Sequence, residues 1–189
     1  MKALANVLEI FLIITLSLGL SGCFSWGGGE EDDDTPRYYV VDVDRGAVAT
    51  EFARDRVLLL KPVRVVPHFE DKIIVFRVND NEFRAQPPHQ LFSDPGEMFT
   101  AQLRRWLQKS GLFSQVVVDE SVDADYVLES AVTALYGEKR PEYSPQSVLE
   151  MQFFMSSADD QKNMLFQTGL RVDVDIEATT PGNVVTGWK

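Results

Sequence analysis

The sequence predicts one α/β domain that follows an N-terminal leader and a short linker. Three observations support this prediction: strand-like segments of β-branched and aliphatic residues recur after residue 37, one segment has the pattern of an amphipathic helix, and the first 36 residues differ in composition from the rest. The remaining chain is long enough to bury one hydrophobic core, and one domain is the default at this length.

Residues 1–22 are typical of a secretory signal peptide. A basic start is followed by an apolar run at residues 10–20. This run is shorter than the roughly 20 residues that a membrane-spanning helix needs. The small residues Ser21 and Gly22 then stand directly before Cys23, which is the only cysteine in the chain.

The stretch from Leu20 to Cys23 (LSGC) resembles the lipobox of bacterial lipoproteins. In that class the cysteine thiol receives a diacylglyceryl group, the chain is then cut before the cysteine, and the new amine is acylated. Cysteine suits this role because a thiolate attacks where a hydroxyl at neutral pH does not. We therefore expect lipid attachment at Cys23. The alternatives are an ordinary cleaved signal peptide with an incidental cysteine, or an uncleaved anchor.

Residues 23–36 are predicted to be a lipidated, flexible linker. Three glycines at 27–29 are followed by five carboxylates at 30–34. Glycine maximises backbone freedom, and clustered like charges repel one another and resist burial. Metal binding by the carboxylates is the alternative, but their spacing is not that of a calcium-binding loop.

The charge of the chain excludes some classes of partner. It carries 29 acidic and 18 basic residues, for a net charge of −11. Nucleic-acid binding depends on neutralising phosphates with Lys and Arg, so no nucleic-acid partner is expected. Electrostatic docking on anionic lipid is disfavoured for the same reason. Membrane attachment would have to come from the covalent lipid.

The strands of the domain are predicted from hydrophobic alternation and turn signals. Pro62 predicts an edge position or a bulge within the second strand. Asn79 and Asp80 predict a turn, and Pro87 and Pro88 predict the end of the short strand that follows it. The predicted strands cover residues 38–44, 57–66, 73–78, 82–86, 115–119, 125–136, 148–157 and 167–178.

One helix is predicted between residues 94 and 111. Asp94 is a suitable N-cap, Pro95 suits the first helical position, and Gly111 suits the position after the last turn. The residues that share its apolar face at helical spacing are Phe99, Leu103, Trp106 and Leu107.

No catalytic motif is apparent in the sequence, and we predict no catalytic, cofactor-binding or metal-binding residue. His68 and His89 stand beside prolines in loop-like stretches, without a visible partner. Asp173, Asp175 and Glu177 alternate along the last strand. These carboxylates suit acid–base catalysis or metal ligation. Alternation of polar and apolar residues along a strand also places carboxylates on the solvated face of a sheet, and we favour this second interpretation.

Two apolar patterns have a structural and a functional interpretation. Met151, Phe153 and Met155 share one face of a strand, and Phe99 and Trp106 share one face of the helix. We expect both sets to pack in the core. The alternatives are a groove for an apolar ligand beside the helix, or an adaptable lipid or partner contact if the strand face is exposed.

Several of these stretches together resemble the ABC-type transport auxiliary lipoprotein family. The resemblance covers residues 20 to about 155. It is carried by the Tyr-Tyr-Val opening at 38–40, the proline-bounded strand end at 62–67, the Ile-Val-Phe-Arg stretch at 74–77, the turn region at 81–82, the helix end at 110–113 and the lipobox at Cys23.

The resemblance implies a non-enzymatic accessory subunit of an envelope lipid-transport system. Its expected partners are an ABC permease, its ATPase and a mammalian-cell-entry (MCE) type substrate-binding protein, and a homo-oligomer is a further option. The implied fold is a mixed sheet flanked by helices, like the N-terminal domain of TolB. The protein would face the periplasm, and Phe24 after the lipidated cysteine implies the outer membrane.

The sequence departs from this family in two places. Leu91 and Phe92 stand where many members have a tryptophan before the main helix. Members also end in a second amphipathic helix, whereas residues 179–189 show no helical stripe. We therefore expect the domain, residues 37–189, to lack its C-terminal helix and to leave one face of the sheet partly bare.

Two rival functions remain at this stage. The first is an outer-membrane assembly or cell-wall structural lipoprotein without a transporter partner. The second is a periplasmic hydrolase that uses the carboxylates of Asp173, Asp175 and Glu177. Loss of function on replacing those carboxylates by alanine would favour the hydrolase.

The first prediction concerns Cys23. In cells fed radiolabelled palmitate, Cys23→Ser should abolish labelling and move the protein out of the membrane fraction, because serine cannot take the cysteine's place as the acceptor. A matched control adds Ser25→Cys to the Cys23→Ser variant, which restores a thiol outside the lipobox and should stay unlabelled. Continued labelling of Cys23→Ser would contradict the prediction.

Overall fold

The computed structural model describes residues 35–44, 46, 55–160 and 162–189. They belong to one compact unit, Asp34–Lys189. The predicted signal peptide, the lipid attachment at Cys23 and most of the linker lie outside the described residues. The described residues form a single α/β domain with a mixed sheet and two α-helices, which confirms the predicted fold class at this level.

The described part of the chain contains nine strands, two α-helices and one 3-10 helix. In chain order they are β1 (Arg37–Tyr39), β2 (Val57–Leu60), β3 (Arg64–Val65), the 3-10 helix (Pro67–Phe69), β4 (Ile73–Asn79), β5 (Glu82–Leu91), α1 (Pro95–Ser110), β6 (Gln115–Val117), β7 (Tyr126–Glu138), β8 (Gln146–Ser157), β9 (Met164–Asp175) and α2 (Pro181–Gly187).

Strand β7 is the centre of the sheet. One edge of β7 pairs along its length with antiparallel β8, which in turn pairs with β9. The parallel partners of β7 are three short strands that follow one another along it, namely β2, β3 and β4. Strand β6 extends the sheet beyond β2, and β5 and β1 extend it beyond β4. Most of β7 is buried, which fits its nearly continuous apolar sequence.

Pro62 interrupts the second predicted strand at a bulge, which was one of the two predicted options. β2 ends before it and β3 begins after it, and the stretch from Leu60 to Arg64 is one residue longer than the stretch from Leu128 to Ala131 that it opposes on β7. Proline cannot donate to a ladder, so the chain leaves the sheet here. The flanking amides are satisfied in other ways: Lys61 N donates to Leu128 O at 3.0 Å, and Val63 N donates to Thr100 Oγ1 of α1 at 2.8 Å.

The predicted end of β5 at Pro87 and Pro88 is wrong, because the strand continues to Leu91. The pairing with β4 shifts register, so residues 86–89 of β5 bulge from the ladder. The two prolines, joined by a cis peptide bond, lie in this bulge, where no ladder donor is needed. Beyond it, β1 pairs with the end of β5.

Helix α1 has the predicted bounds. The Asp94 carbonyl accepts a hydrogen bond from Met98 N at 3.0 Å, although its side chain makes no capping hydrogen bond. Gly111 ends the helix with φ of 69°, a left-handed conformation that favours glycine. Of the predicted stripe, Phe99 is buried and the other three residues are half-buried.

The expectation of a missing C-terminal helix is wrong, because α2 occupies part of this segment. Thr180 caps it by accepting a hydrogen bond from Asn183 N at 3.3 Å. Its buried apolar residues are Val184 and Val185, and Trp188 is buried directly after it. Three residues are too few to give a visible periodicity. The threonine followed by proline was the available signal.

A buried ion pair lies at the end of β7. The guanidinium of Arg140 contacts both carboxylate oxygens of Glu138, at 2.8 and 2.9 Å, and both side chains are less than one-tenth exposed. Arg140 also contacts the carboxylate of Asp80 at 2.6 Å and lies 3.9 Å from the ring centre of Tyr143. The pair joins β7 to the turn between β4 and β5.

We predict that Glu138→Gln lowers the free energy of unfolding by about 3 kcal/mol, because it removes the buried counter-charge of Arg140 and leaves the guanidinium only the exposed carboxylate of Asp80. The matched control is Glu82→Gln, which breaks a more exposed pair with Arg84 and should cost less than about 1 kcal/mol. Urea unfolding measures both. Equal losses in the two variants would contradict a special role for the buried pair.

The same pair predicts a pH dependence. Burial raises the pKa of the Glu138 carboxyl, but the hydrogen bonds and positive charge of Arg140 outweigh burial and lower the pKa overall. Its stabilising contribution is therefore complete above the ordinary glutamate pKa of about 4.3 and is lost as the pH falls through the lowered folded-state pKa. In urea titrations below about pH 4.3, Glu138→Gln should lose less stability than the unmodified protein.

Candidate functional site

An apolar cavity of about 350 Å³ lies between α1, α2 and one face of strands β8 and β9. Its floor comes from alternate residues of the two strands, which point to the same side of the sheet. Met151 faces Leu170 across the ladder, and Leu149 faces Val172. The six floor residues are Leu149, Met151 and Phe153 from β8, and Leu170, Val172 and Val174 from β9.

The burial of the β8 face distinguishes between its two interpretations, which are packing in the core and an exposed contact surface. Met151 is buried, while Phe153 and Met155 are half-buried and pack against the core. The expected core role of this face is thus confirmed. Met151 and Phe153 also line the cavity, so part of the same face is accessible to a ligand.

Helix α1 forms one wall of the cavity with Phe99 and Trp106. The indole Nε1 of Trp106 donates to the Val43 carbonyl at 2.8 Å, which fixes the ring beside the cavity. Trp188, directly after α2, forms another wall, and its Nε1 donates to Val148 O at 3.0 Å. The helix stripe therefore packs on its own domain, as expected, and also lines a cavity.

The segment at residues 40–44 closes the cavity beside α1. The predicted strand over 38–44 stops at Tyr39. The alternation persists in residues 41–44: Val41 and Val43 line the cavity, while Asp42 and Asp44 are exposed. The segment is not a strand because the Val43 carbonyl is bound by side chains of α1 instead of by a neighbouring backbone.

Two ion pairs hold this segment on the helix. Asp42 pairs with Arg105, and Asp44 pairs with Lys109. The hydrogen bond from Lys109, together with one from the Gly46 backbone, lowers the pKa of the Asp44 carboxyl. The two ion pairs form only in the folded domain, since each joins residues about 60 positions apart in the chain. The sequence alone contains no signal for them.

Strand β9 is exposed along almost its whole length. Among the described residues its only sheet partner is β8, so its other edge is unpaired. Several of its large apolar residues are about half exposed, including Phe166 at 50% and Leu170 at 56%. Exposed apolar edge strands are uncommon in natural proteins, because unpaired backbone groups invite pairing with another chain. This strand is therefore a candidate interaction surface.

The carboxylates of the last strand do not form a cluster. Asp173 pairs with Arg171 at 2.9 Å, and Asp175 accepts a hydrogen bond from Gln146 at 3.0 Å. Glu177 is exposed beyond the end of β9. In the described ranges, no group of three or more Asp, Glu, His or Cys residues is arranged to hold a metal ion.

The two histidines lie apart from the cavity. His68 is exposed in the 3-10 helix, beside the ring of Phe69. His89 belongs to β5 instead of a loop, and its Nδ1 shares a hydrogen bond of 2.8 Å with the Tyr39 hydroxyl. None of the helices in the described ranges is long and apolar enough to cross a membrane.

Two solved structures are similar in fold. The protein XCC0632 from Xanthomonas campestris, described by the family model DUF330, is 15% identical, with a TM-score of 0.68 over 80% of this chain and 86% of its own. An uncharacterized protein is 13% identical, with a TM-score of 0.61 over 80% and 88% of the two chains. No family model matches the sequence, and no curated protein is significantly similar to it.

The packing of α2 gives a prediction about stability. Trp188→Ala should lower the free energy of unfolding by about 3–5 kcal/mol, because it removes a buried indole and enlarges an existing cavity. The control Phe92→Ala removes an aromatic ring that is 67% exposed and should cost about 0.5 kcal/mol or less. If both changes were equally mild in urea unfolding, α2 would not be part of the core.

Proposed function

We propose that this protein is a non-catalytic lipoprotein, anchored in the cell envelope through Cys23, that docks on another component of an ABC-type, MCE-linked lipid transport system. The alternative is an outer-membrane assembly or cell-wall structural lipoprotein. The proposal combines the lipobox, the family-like stretches of the sequence and the exposed strand β9.

The observation that carries the docking step is the free edge of β9. A strand of 12 residues presents backbone donors and acceptors that have no partner among the described residues, together with exposed apolar side chains. A partner protein can bind such an edge by adding a strand of its own. The backbone hydrogen bonds between the two strands give affinity, and contacts between their alternate side chains give specificity. The net charge of −11 favours a partner with a complementary basic surface.

The linker suits a tethered docking module. The chain between Cys23 and Arg37 can span at most about 50 Å when fully extended. A lipid at Cys23 would therefore keep the domain near the membrane and let it turn toward a partner. Two or more acyl chains at this cysteine would provide stable attachment, which one chain does not.

The stretches that carry the family resemblance coincide with regular elements of the domain. The opening at residues 38–40 overlaps β1, the segment at 62–67 spans β3 and the start of the 3-10 helix, and the stretch at 74–77 lies within β4. The helix end at 110–113 includes the last residue of α1. The resemblance therefore falls largely on the strands and the helix that build the domain, and this supports the proposal.

The docking surface can be tested by photo-crosslinking in cells. A p-benzoylphenylalanine residue replaces Phe166 on β9 or, as a control, Tyr143 in the loop before β8, since both native rings are 50% exposed. We expect position 166 to form crosslinks to the permease or the MCE-type protein, and position 143 to form far fewer.

Crosslinks from position 166 only to cell-wall or outer-membrane assembly proteins would favour the alternative function. Crosslinks to the same proteins from both positions would show that β9 is not the docking surface. Either result would overturn the proposal as stated.

A further inference from the structure

We propose that the cavity between α1, α2 and β9 binds the acyl chain of a single-chain anionic lipid, such as a fatty acid, with the lipid's carboxylate near Lys189. This inference goes beyond docking. It rests on the proposed function in one respect, which is that a membrane anchor brings the domain close to a supply of lipid.

The chemistry of the cavity suits a hydrocarbon ligand. Its floor and walls are almost entirely aliphatic, aromatic or thioether side chains. Its main polar groups already have partners: the Nε2 of Gln102 and the Nε1 of Trp106 donate to the Val43 carbonyl, and the Nε1 of Trp188 donates to Val148 O. Ordered water needs two to four polar partners, so the cavity offers water little and favours an apolar occupant.

The size of the cavity fits one acyl chain. An apolar cavity of about 150 Å³ accepts benzene, with its six carbons. In proportion, the 350 Å³ of this cavity has room for roughly 14 carbons. One fatty acyl chain is of this length, whereas a phospholipid carries two such chains. The volume therefore favours a single-chain lipid.

The charge at the rim indicates an anionic head group. Lys189 is exposed and is the one charged residue among those that line the cavity. The nearby cations of α1, Arg105 and Lys109, are already paired with Asp42 and Asp44. In the proposal, the ammonium of Lys189 pairs with the carboxylate of a lipid whose chain enters the cavity, because such a pair forms a charge-assisted hydrogen bond.

The entrance lies beside the exposed face of β9. Leu170 and Val172 line the cavity and are also among the exposed apolar residues of the strand. A chain can thus enter from the side of β9 without displacing either helix. Gln167 lies on the opposite face of the same strand, next to Gln152 and Gly169, which gives a matched position for a control.

The test uses the full chain with phospholipid vesicles that contain a hexadecanoic acid carrying a diazirine near its tail. After irradiation, mass spectrometry locates the adducts, which we expect on cavity residues such as Phe153 and Trp106. Leu170→Glu places a negative charge at the entrance, which opposes both the apolar chain and the lipid's carboxylate, and should lower this labelling roughly tenfold. Gln167→Glu adds the same charge on the opposite face and should leave the labelling unchanged.

Two further comparisons test the head group and the number of chains. Lys189→Gln should lower labelling by the fatty acid severalfold but leave labelling by a hexadecanol with the same diazirine unchanged. A two-chain phospholipid probe should label the cavity residues less than the fatty acid does. Adducts spread over the surface, equal effects of the two glutamate variants, or equal labelling by the phospholipid would each overturn the inference.

A flotation measurement on the same samples separates the two proposals. Fatty acids exchange through water, so the cavity can be labelled whether or not the protein is anchored. Labelled cavity residues in protein that does not float with the vesicles would support the cavity and contradict the anchor. Protein that floats with the vesicles but has no labelled cavity residues would support the anchor and contradict lipid binding in the cavity.

Discussion

The pairing of β7 on both of its edges determines the rest of the structure. A single strand, Tyr126–Glu138, pairs with antiparallel β8 and with the parallel strands β2, β3 and β4. Most of β7 is buried and its sequence is largely apolar, and α2 packs on it. Strand β9 is two positions away from this centre, and most of its residues are exposed.

The cavity follows from the same arrangement. Helix α1 packs near β6 and β3, and α2 packs on β7 and β8. The approach of α2 is close: a Cβ at Gly187 would lie 2.3 Å from that of Ser147. The two helices cover different parts of one sheet face, and the floor between them is formed by β8 and β9. The space is too apolar to hold water well, and it opens beside the exposed strand. The unpaired edge of β9 and the apolar cavity thus lie next to each other.

The sequence predicted the elements whose signals are local. Helix α1 was found because a proline start, an apolar stripe and a terminal glycine agree over 16 residues. Strands β7 and β8 were predicted from long apolar segments.

The bulge that carries Pro87 and the ion pairs of Asp42 and Asp44 were not predicted, because they depend on partners in other segments of the chain. Helix α2 was missed because its apolar face has only three residues. A ligand cavity was predicted only as an alternative, since its lining comes from five separate segments of the chain.

The most direct test of the central claim is hydrogen exchange of the β9 amides in the full chain bound to vesicles. The account predicts that alternate amides of β9, those directed away from β8, exchange rapidly, while amides in the pairing between β7 and β8 are strongly protected. Addition of the docking partner should then protect the rapidly exchanging set. If all the β9 amides were already protected without a partner, the edge would be covered by another part of the protein, and it could not serve as the docking surface.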